Sequence, residues 1–325
     1  MYYPLGDAVL RSGETMAMGC TLGPDEAFIE RVPQFLSHKN EYCQWHIRAS
    51  MQQPLDDLET RYYLGRIGDE IVVNIMTVEC RGVGILGHVF TQPAHRRKSA
   101  CTELMARQMQ DFRDRGGRCL ILGTGYDTHP YRIYRGFGFE SIRAGSGDMR
   151  YTVEPDATFT AGFFQPGTAR AQPLAWGHWP LAACLGSYEL PEYLRTIEPP
   201  VYGPYNFEGC FYPLKRACET GQAQSYVLES SGGAVGAFAA LQPDPRFRGD
   251  SFVLDIYGHG AFGGAYGELL GAFTWPNAKA SAYADAESEA KIAALEEAGF
   301  VAEARLTGQV IKGERKLDVV MLARQ

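Results

Sequence analysis

The chain has 325 residues, 45% of them hydrophobic and 21% charged, an ordinary globular composition that is too long for one typical core, so two domains are expected. Its formal net charge of -7 excludes broad nucleic-acid or anionic-membrane binding, since both need a basic face. No apolar run approaches a membrane span, and the N-terminal MYYPLGDAVLRSGE lacks a basic stretch followed by an apolar core, which leads to an expected cytoplasmic location.

Early in the chain, DEAFIERVPQFL reads as a helix. From Thr60 the text YYLGRIGDEIVVNIMTVE alternates and is rich in β-branched residues, with Gly68-Asp69 as the turn of a hairpin. A turn at Cys80 to Gly84 leads into a third strand, ILGHVFTQ, which Pro93 ends. A helix then begins near Ser99, with Cys101, Leu104, Met105, Met109 and Phe112 on one face, and Gly116-Gly117 ends it. A buried strand, CLILG, a helical stretch through YRIYRGFGF and two further strands follow. The segment from Pro155 to about Pro173, rich in Gly, Pro, Thr and Ala, reads as a connection between domains.

The second half repeats the order: a hairpin (SYVLESSGGAVGAFAAL), a strand (SFVLDIY), a Gly-rich turn and helix, a strand (AKASAYAD), a helix ending in Gly299-Phe300, and two strands. The distance from hairpin turn to Gly-Phe pair is about 70 positions in each half, which points to an internal duplication. The expected organisation is therefore an α/β protein of two tandem folds, residues 1–158 and 159–325.

The eight cysteines are scattered without a C-x-x-C pair and read as reduced thiols; no histidine stands at metal-ligand spacing, so no metal is expected. Neither an H-E-x-x-H helix nor a G-x-S-x-G elbow is present. The unusual feature is Arg96-Arg97-Lys98, three cations at a helix start that already carries partial positive charge. The arrangement becomes favourable if a multiply charged anion is bound there by amides, dipole and side chains together.

With strand, basic loop, helix, strand and a helix closing in Y-x-x-x-G-F all in order, residues Gly19 to Glu154 resemble the GNAT acyltransferase superfamily. In that family a loop of pattern R/Q-x-x-G-x-G/A wraps the coenzyme A pyrophosphate; here it is Arg96-Arg97-Lys98-Ser99-Ala100-Cys101, with Ser99 and Cys101 replacing both glycines. The resemblance implies that these six residues and Thr102 hold acetyl-CoA. It further implies that the strand backbone at Val89, Phe90 and Thr91 pairs with the pantetheine arm, that Asp127 lies on the cofactor side, and that Tyr134 protonates the departing thiolate. A phenol with a pKa near ~10 suits that role. From roughly Leu174 to Gln325 the chain looks like a degenerate copy, with no cation in its loop GHGAFGG and Leu295 at the position matching Tyr134.

A rival pattern, Gly258-His259-Gly260-Ala261-Phe262-Gly263, fits G-x-G-x-x-G and is followed by Asp285 at the spacing of a ribose-binding acid, the mark of a nicotinamide-dinucleotide site. Too few βα units follow it to favour that reading. Glu79 and His88 are the candidate bases for deprotonating an amine, with strand alternation leaving the direction of each open. Tyr42, Trp45 and His46, in a segment expected between the first two helices, are candidates to line an amine pocket. The expected function is N-acetyl transfer from acetyl-CoA to a primary amine by direct attack. The alternative is a non-catalytic acyl-CoA-binding or regulatory protein. The expected partners are a small-molecule or peptide amine, with no nucleic acid or membrane, in a monomer or homo-oligomer.

Overall fold

The computed structural model describes residues 1–197, 200–248 and 250–325. The chain divides into two units, one of Met1–Asp156 with Trp179–Cys184, the other of Ala157–His178 with Leu185–Gln325. The first unit runs β1 (Tyr2–Val9), β2 (Thr15–Leu22), α1 (Arg31–Phe35), α2 (Glu41–Gln52), β3 (Glu59–Ile67), β4 (Glu70–Cys80), β5 (Val83–Thr91), α3 (Ala100–Asp114), β6 (Cys119–Gly123), α4 (His129–Gly136), β7 (Glu140–Ser141) and β8 (Asp148–Thr152). Its sheet has the order β1-β2-β3-β4-β5-β6-β8-β7, antiparallel throughout except for the β5–β6 pair.

The apolar stripe of α3 makes the core. Leu104, Met105, Met109 and Phe112 pack with Val73, Ile75, Leu86, Leu120 and Leu122 of the sheet, each burial contributing roughly 1.5–3 kcal/mol. Helix α4 ends as its sequence requires: Phe139 N–H bonds back to Tyr134 O at 3.2 Å across Gly138, whose φ of +93° suits only glycine without strain.

The expected helix over DEAFIERVPQFL is shorter, α1 covering only Arg31–Phe35. The Asp25 carboxylate instead holds Thr21 Oγ1 at 2.7 Å and Ala27 N–H at 3.0 Å in a turn, so the side chain competes with helical backbone bonding. The segment containing Tyr42, Trp45 and His46 does not link two helices but forms α2 itself, started by Asn40, whose Oδ1 accepts the Cys43 N–H at 2.9 Å. His46 is fully buried there, against the Trp179 ring.

The second unit carries most of α5 (Asp156–Phe163), then β9 (Ala169–Pro173), part of α6 (His178–Gly186), β10 (Leu194–Ile197), β11 (Pro200–Tyr202), α7 (Glu208–Glu219), β12 (Gln224–Ser230), β13 (Val235–Pro243), β14 (Phe252–Gly258), α8 (Tyr266–Gly271), β15 (Ala280–Asp285), α9 (Glu289–Glu297), β16 (Val301–Lys312) and β17 (Arg315–Arg324). The stretch expected to be an irregular connection thus supplies α5 and β9, and β9 pairs with β12 as the sheet edge. The order β9-β12-β13-β14-β15-β17-β16 repeats β2-β3-β4-β5-β6-β8-β7 strand for strand. The orientations agree as well, with β14–β15 the parallel pair. Since β15 pairs antiparallel with β17, this is not the parallel sheet that a dinucleotide-binding fold requires.

Burial strongly lowers the pKa of the two most deeply buried histidines in the first unit. His46 lies well below the usual imidazole value, and His88 falls to about 3 through burial, with Lys39 and His38 adding to the effect. Both are neutral in the fold, whereas the unfolded chain takes up their protons below about pH 6.5. Stability is therefore expected to hold above that pH and to fall as pH drops, by about 1.4 kcal/mol per pH unit for each histidine. Urea denaturation between pH 6 and 5 should show this slope, reduced by one proton in His88→Gln whatever that variant's absolute stability.

Candidate functional site

The parallel strands β5 and β6 pair only from Val83–Cys119 to Ile85–Ile121. Beyond that point β5 bonds only to β4, with a bulge opposite Ile75, where His88 takes a left-handed φ of +48°. The far edge of β5 is thus left without a strand partner. A cleft of about 610 Å³ opens there, within the usual size range for ligand sites.

Three walls form the cleft. Val89, Phe90 and Thr91 come from β5; His95, Arg96, Arg97, Ser99, Ala100, Cys101 and Thr102 from the loop and the first turn of α3; His129, Pro130, Ile133 and Tyr134 from one face of α4; and Arg11 joins from the β1–β2 turn. The α3 amides of Ala100, Cys101 and Thr102 precede the first intrahelical bond, which Glu103 N–H makes to Ser99 O at 3.0 Å. Ser99 makes no side-chain cap, which leaves those three donors to whatever fills the cleft. Arg97 at φ +62° and Ser99 at φ +69° turn the loop into an amide-lined concavity of the kind that binds anions.

The three cations separate in role. Arg96 is exposed, its Nε donating to Thr91 O at 3.1 Å and its guanidinium 5.9 Å from the Phe90 ring centre. Arg97 is exposed on the cleft wall. Lys98 instead pairs with Glu14 at 3.0 Å and does not line the cleft. Tyr134 is buried to 7% exposure in the α3 core while still reaching the cleft wall. Cys101 shares that wall, and burial pushes its thiol up to about 11, so it stays protonated and a poor nucleophile.

Two expected site residues stand elsewhere. Glu79 pairs with Gly84 at the opposite end of the β4–β5 ladder from Val73–Thr91, six residues or roughly 20 Å along the strand. There its carboxylate takes Arg115 at 2.7 and 2.9 Å and Thr77 Oγ1 at 2.5 Å; it is a buried structural anion. Asp127 is exposed, paired with Arg132 at 3.2 Å and absent from the cleft wall. His88 is buried beside the cleft strand without lining it, and its Nε2 has no hydrogen-bond partner.

Arg11, His95 and His129 were not anticipated. The His129, Pro130, Ile133, Tyr134 spacing of α4 signals a common face, whereas nothing local marks Arg11, which tertiary folding brings in through its N–H bond to Lys98 O at 3.2 Å. On the other side of Phe90 lies a second cavity of about 390 Å³, lined also by Arg31, Gln34, Phe35, Asp69, Glu70, Ile71 and Gln92. Among the described residues no His, Cys, Asp and Glu group could hold a metal ion, and no helix is long and apolar enough to cross a membrane.

Residues 70–142 match the family model of the acetyltransferase (GNAT) domain. No curated protein matches the chain at a significant level. Similar solved structures include a GNAT superfamily phosphinothricin acetyltransferase from Sinorhizobium meliloti in complex with AcCoA, at 18% identity over 48% of this chain and 88% of that one, with a TM-score of 0.37. A spermidine N-acetyltransferase from Vibrio cholerae in complex with CoA and spermine is similar at 17% identity, over 48% and 94%, with a TM-score of 0.37. A ribosomal-protein-alanine N-acetyltransferase from Brucella melitensis has 20% identity over 47% and 98%, with a TM-score of 0.36.

Because Ser99 holds a left-handed conformation that costs a non-glycine residue roughly 1–2 kcal/mol, Ser99→Gly relieves strain while adding unfolded-state entropy. The net expectation is a gain of up to about 1 kcal/mol in urea denaturation. A loss of stability would mean that the Ser99 hydroxyl, which donates to Lys98 O at 2.5 Å, holds the loop more strongly than the strain opposes it.

Proposed function

We propose, from the match of residues 70–142 to the acetyltransferase (GNAT) domain, that the first unit transfers an acetyl group from acetyl-CoA to a primary amine by direct attack. The observation that carries this reading is the cleft itself. It joins an unpaired strand edge, three free helix-start amides, two exposed arginines and a buried tyrosine around one volume.

The amides of Ala100, Cys101 and Thr102 suit the pyrophosphate, with Arg96, Arg97 and Arg11 supplying compensating charge. The edge of β5 at Val89 to Thr91, where Arg96 already engages the Thr91 carbonyl, lacks a strand partner that an extended amide-bearing arm provides. When the amine nitrogen bonds to the acetyl carbon and the carbon–sulfur bond breaks, Tyr134 gives its phenolic proton to the sulfur. The protonated Cys101 argues for direct transfer over an acyl-cysteine intermediate.

Phe90 lines both cavities, so the amine is proposed to enter from the side of α1, where Asp69 and Glu70 favour a cation. The nitrogen must lose its proton before attack. Burial that holds His88 neutral down to about 3 opposes its taking that proton, and it does not line the cleft, so an ordered water chain is the proposed route for the proton. Glu79 does not serve either, being held by Arg115 at the far end of the sheet.

Tyr134→Phe should keep acetyl-CoA affinity and lower turnover by roughly 10² or more, the usual effect of removing a positioned acid. A thiol-release assay over a panel of primary amines measures this, and unchanged turnover would return Tyr134 to a packing role. Arg96→Ala should weaken acetyl-CoA binding by about 1–3 kcal/mol in calorimetric titration, with Lys98→Ala costing less because Glu14 already engages that ammonium. Equal affinity in wild type and Arg96→Ala would refute the phosphate assignment. Binding with no thiol release from any amine would support the non-catalytic alternative.

A further inference from the structure

The second unit repeats the opened strand pair but fills it with its own chain. Strands β14 and β15 pair only from Phe252–Ala280 to Leu254–Ala282, the same three-residue contact as β5 and β6, and then diverge. Across their C-terminal ends lies the segment that leads into β10. At the end of β14, the Glu192 carboxylate accepts the Gly258 N–H at 3.3 Å and the Tyr266 hydroxyl, from the first residue of α8, at 2.7 Å. At the end of β15, the Asp285 carboxylate accepts the Tyr193 N–H at 2.6 Å and the Leu194 N–H at 3.1 Å. The acid that the glycine motif would assign to a ribose is thus committed to backbone amides of the same unit.

The buried charge in this region carries no cationic excess. Arg195 is fully buried and donates to the carbonyls of Gly186 and Tyr188, each at 2.5 Å, and of Glu192 at 3.2 Å. Lys291, also fully buried, pairs with Asp255 at 3.3 Å. Two buried cations, Arg195 and Lys291, stand against three buried carboxylates, Glu192, Asp255 and Asp285, so the interior presents no net positive charge to phosphate. Glu192 reaches the strand edge at Gly258, which the parallel registers align with Val89 of β5, and the Tyr266 hydroxyl. The loop GHGAFGG has no lysine or arginine to add a cation there.

We propose that the cleft of the second sheet is a cofactor-type site permanently occupied by the chain's own segment from Glu192 to Arg195. The carboxylate of Glu192 takes the strand edge where the extended arm would pair, and the backbone of Tyr193 and Leu194 covers the end of β15. The protein accordingly takes one acetyl-CoA, in the first unit alone. The cofactor class rests on the acetyl-CoA reading of the first cleft; the filling of the second cleft does not.

Hydrogen–deuterium exchange on the full chain, with and without acetyl-CoA, combined with native mass spectrometry, tests the two parts separately. The expected result is one bound acetyl-CoA, ligand-dependent protection at residues 89–102, and amides of Tyr193 and Leu194 that exchange slowly even without ligand. Asp285→Ala should speed exchange at those two amides about tenfold or more and leave acetyl-CoA affinity unchanged. Two bound equivalents, or ligand-dependent protection at residues 258–266, would overturn the proposal while upholding the cofactor reading. Fast exchange at Tyr193 and Leu194 in the ligand-free wild type would overturn it by itself. If no acetyl-CoA binds, the cofactor reading fails, and slow exchange at those amides would still show the second cleft filled.

Discussion

The short parallel contact between β5 and β6 is the constraint on which the first unit depends. A sheet strand cannot leave its N–H and C=O groups buried without partners, yet β5 loses β6 after Ile85. The bulge at His88 and Val89 lets the strand keep bonding to β4 while it turns away. The opened edge, the concave loop and the start of α3 then face one volume. Helix α3 is anchored by Leu104, Met105, Met109 and Phe112, which fixes where its free amides point.

Electrostatics distribute the loop cations in a way that spacing does not. Lys98 is tied to Glu14 from the β1–β2 turn, and that turn delivers Arg11 to the same wall. The loop therefore carries two exposed arginines of its own and borrows a third. Left-handed backbone at Arg97 and Ser99 performs the bending for which glycine is usually suited. Strain at such positions persists only where surrounding contacts hold it, and the anchored helix and the Lys98–Glu14 pair supply those contacts.

The two sheets share one connectivity and differ in what occupies the gap between their parallel strands. Tyr134 and Leu295 illustrate the divergence: each bonds through its carbonyl to the N–H of a Phe five residues on, at 3.2 and 3.0 Å, each followed by a left-handed glycine, Gly138 or Gly299. The backbone device is the same. The phenol reaches a cleft, whereas the leucine is fully buried in α9. The segment from Glu192 to Arg195 at the ends of β14 and β15 is the corresponding difference between the two gaps.

Much of this was legible along the chain. Period-two and period-3.6 patterns marked the hairpins, β5, α3 and the repeated order of elements, because burial of one face imposes those periods wherever a strand or helix meets a core. The cation run at a helix start and the Y-x-x-x-G-F ending located most of the cleft, since each is a local motif with a local cause. What only the tertiary structure decided were pairings between distant segments. Glu79 looked free as a base, but Arg115, 36 residues away, claims it. Lys98 looked like a phosphate ligand, but Glu14 takes it from 84 residues away. Asp285 looked like a ribose acid, but Tyr193 N–H, 92 residues earlier, occupies its carboxylate. Local sequence records propensity and periodicity; whether a charged side chain is available for chemistry depends on which opposite charge or backbone donor folding brings beside it.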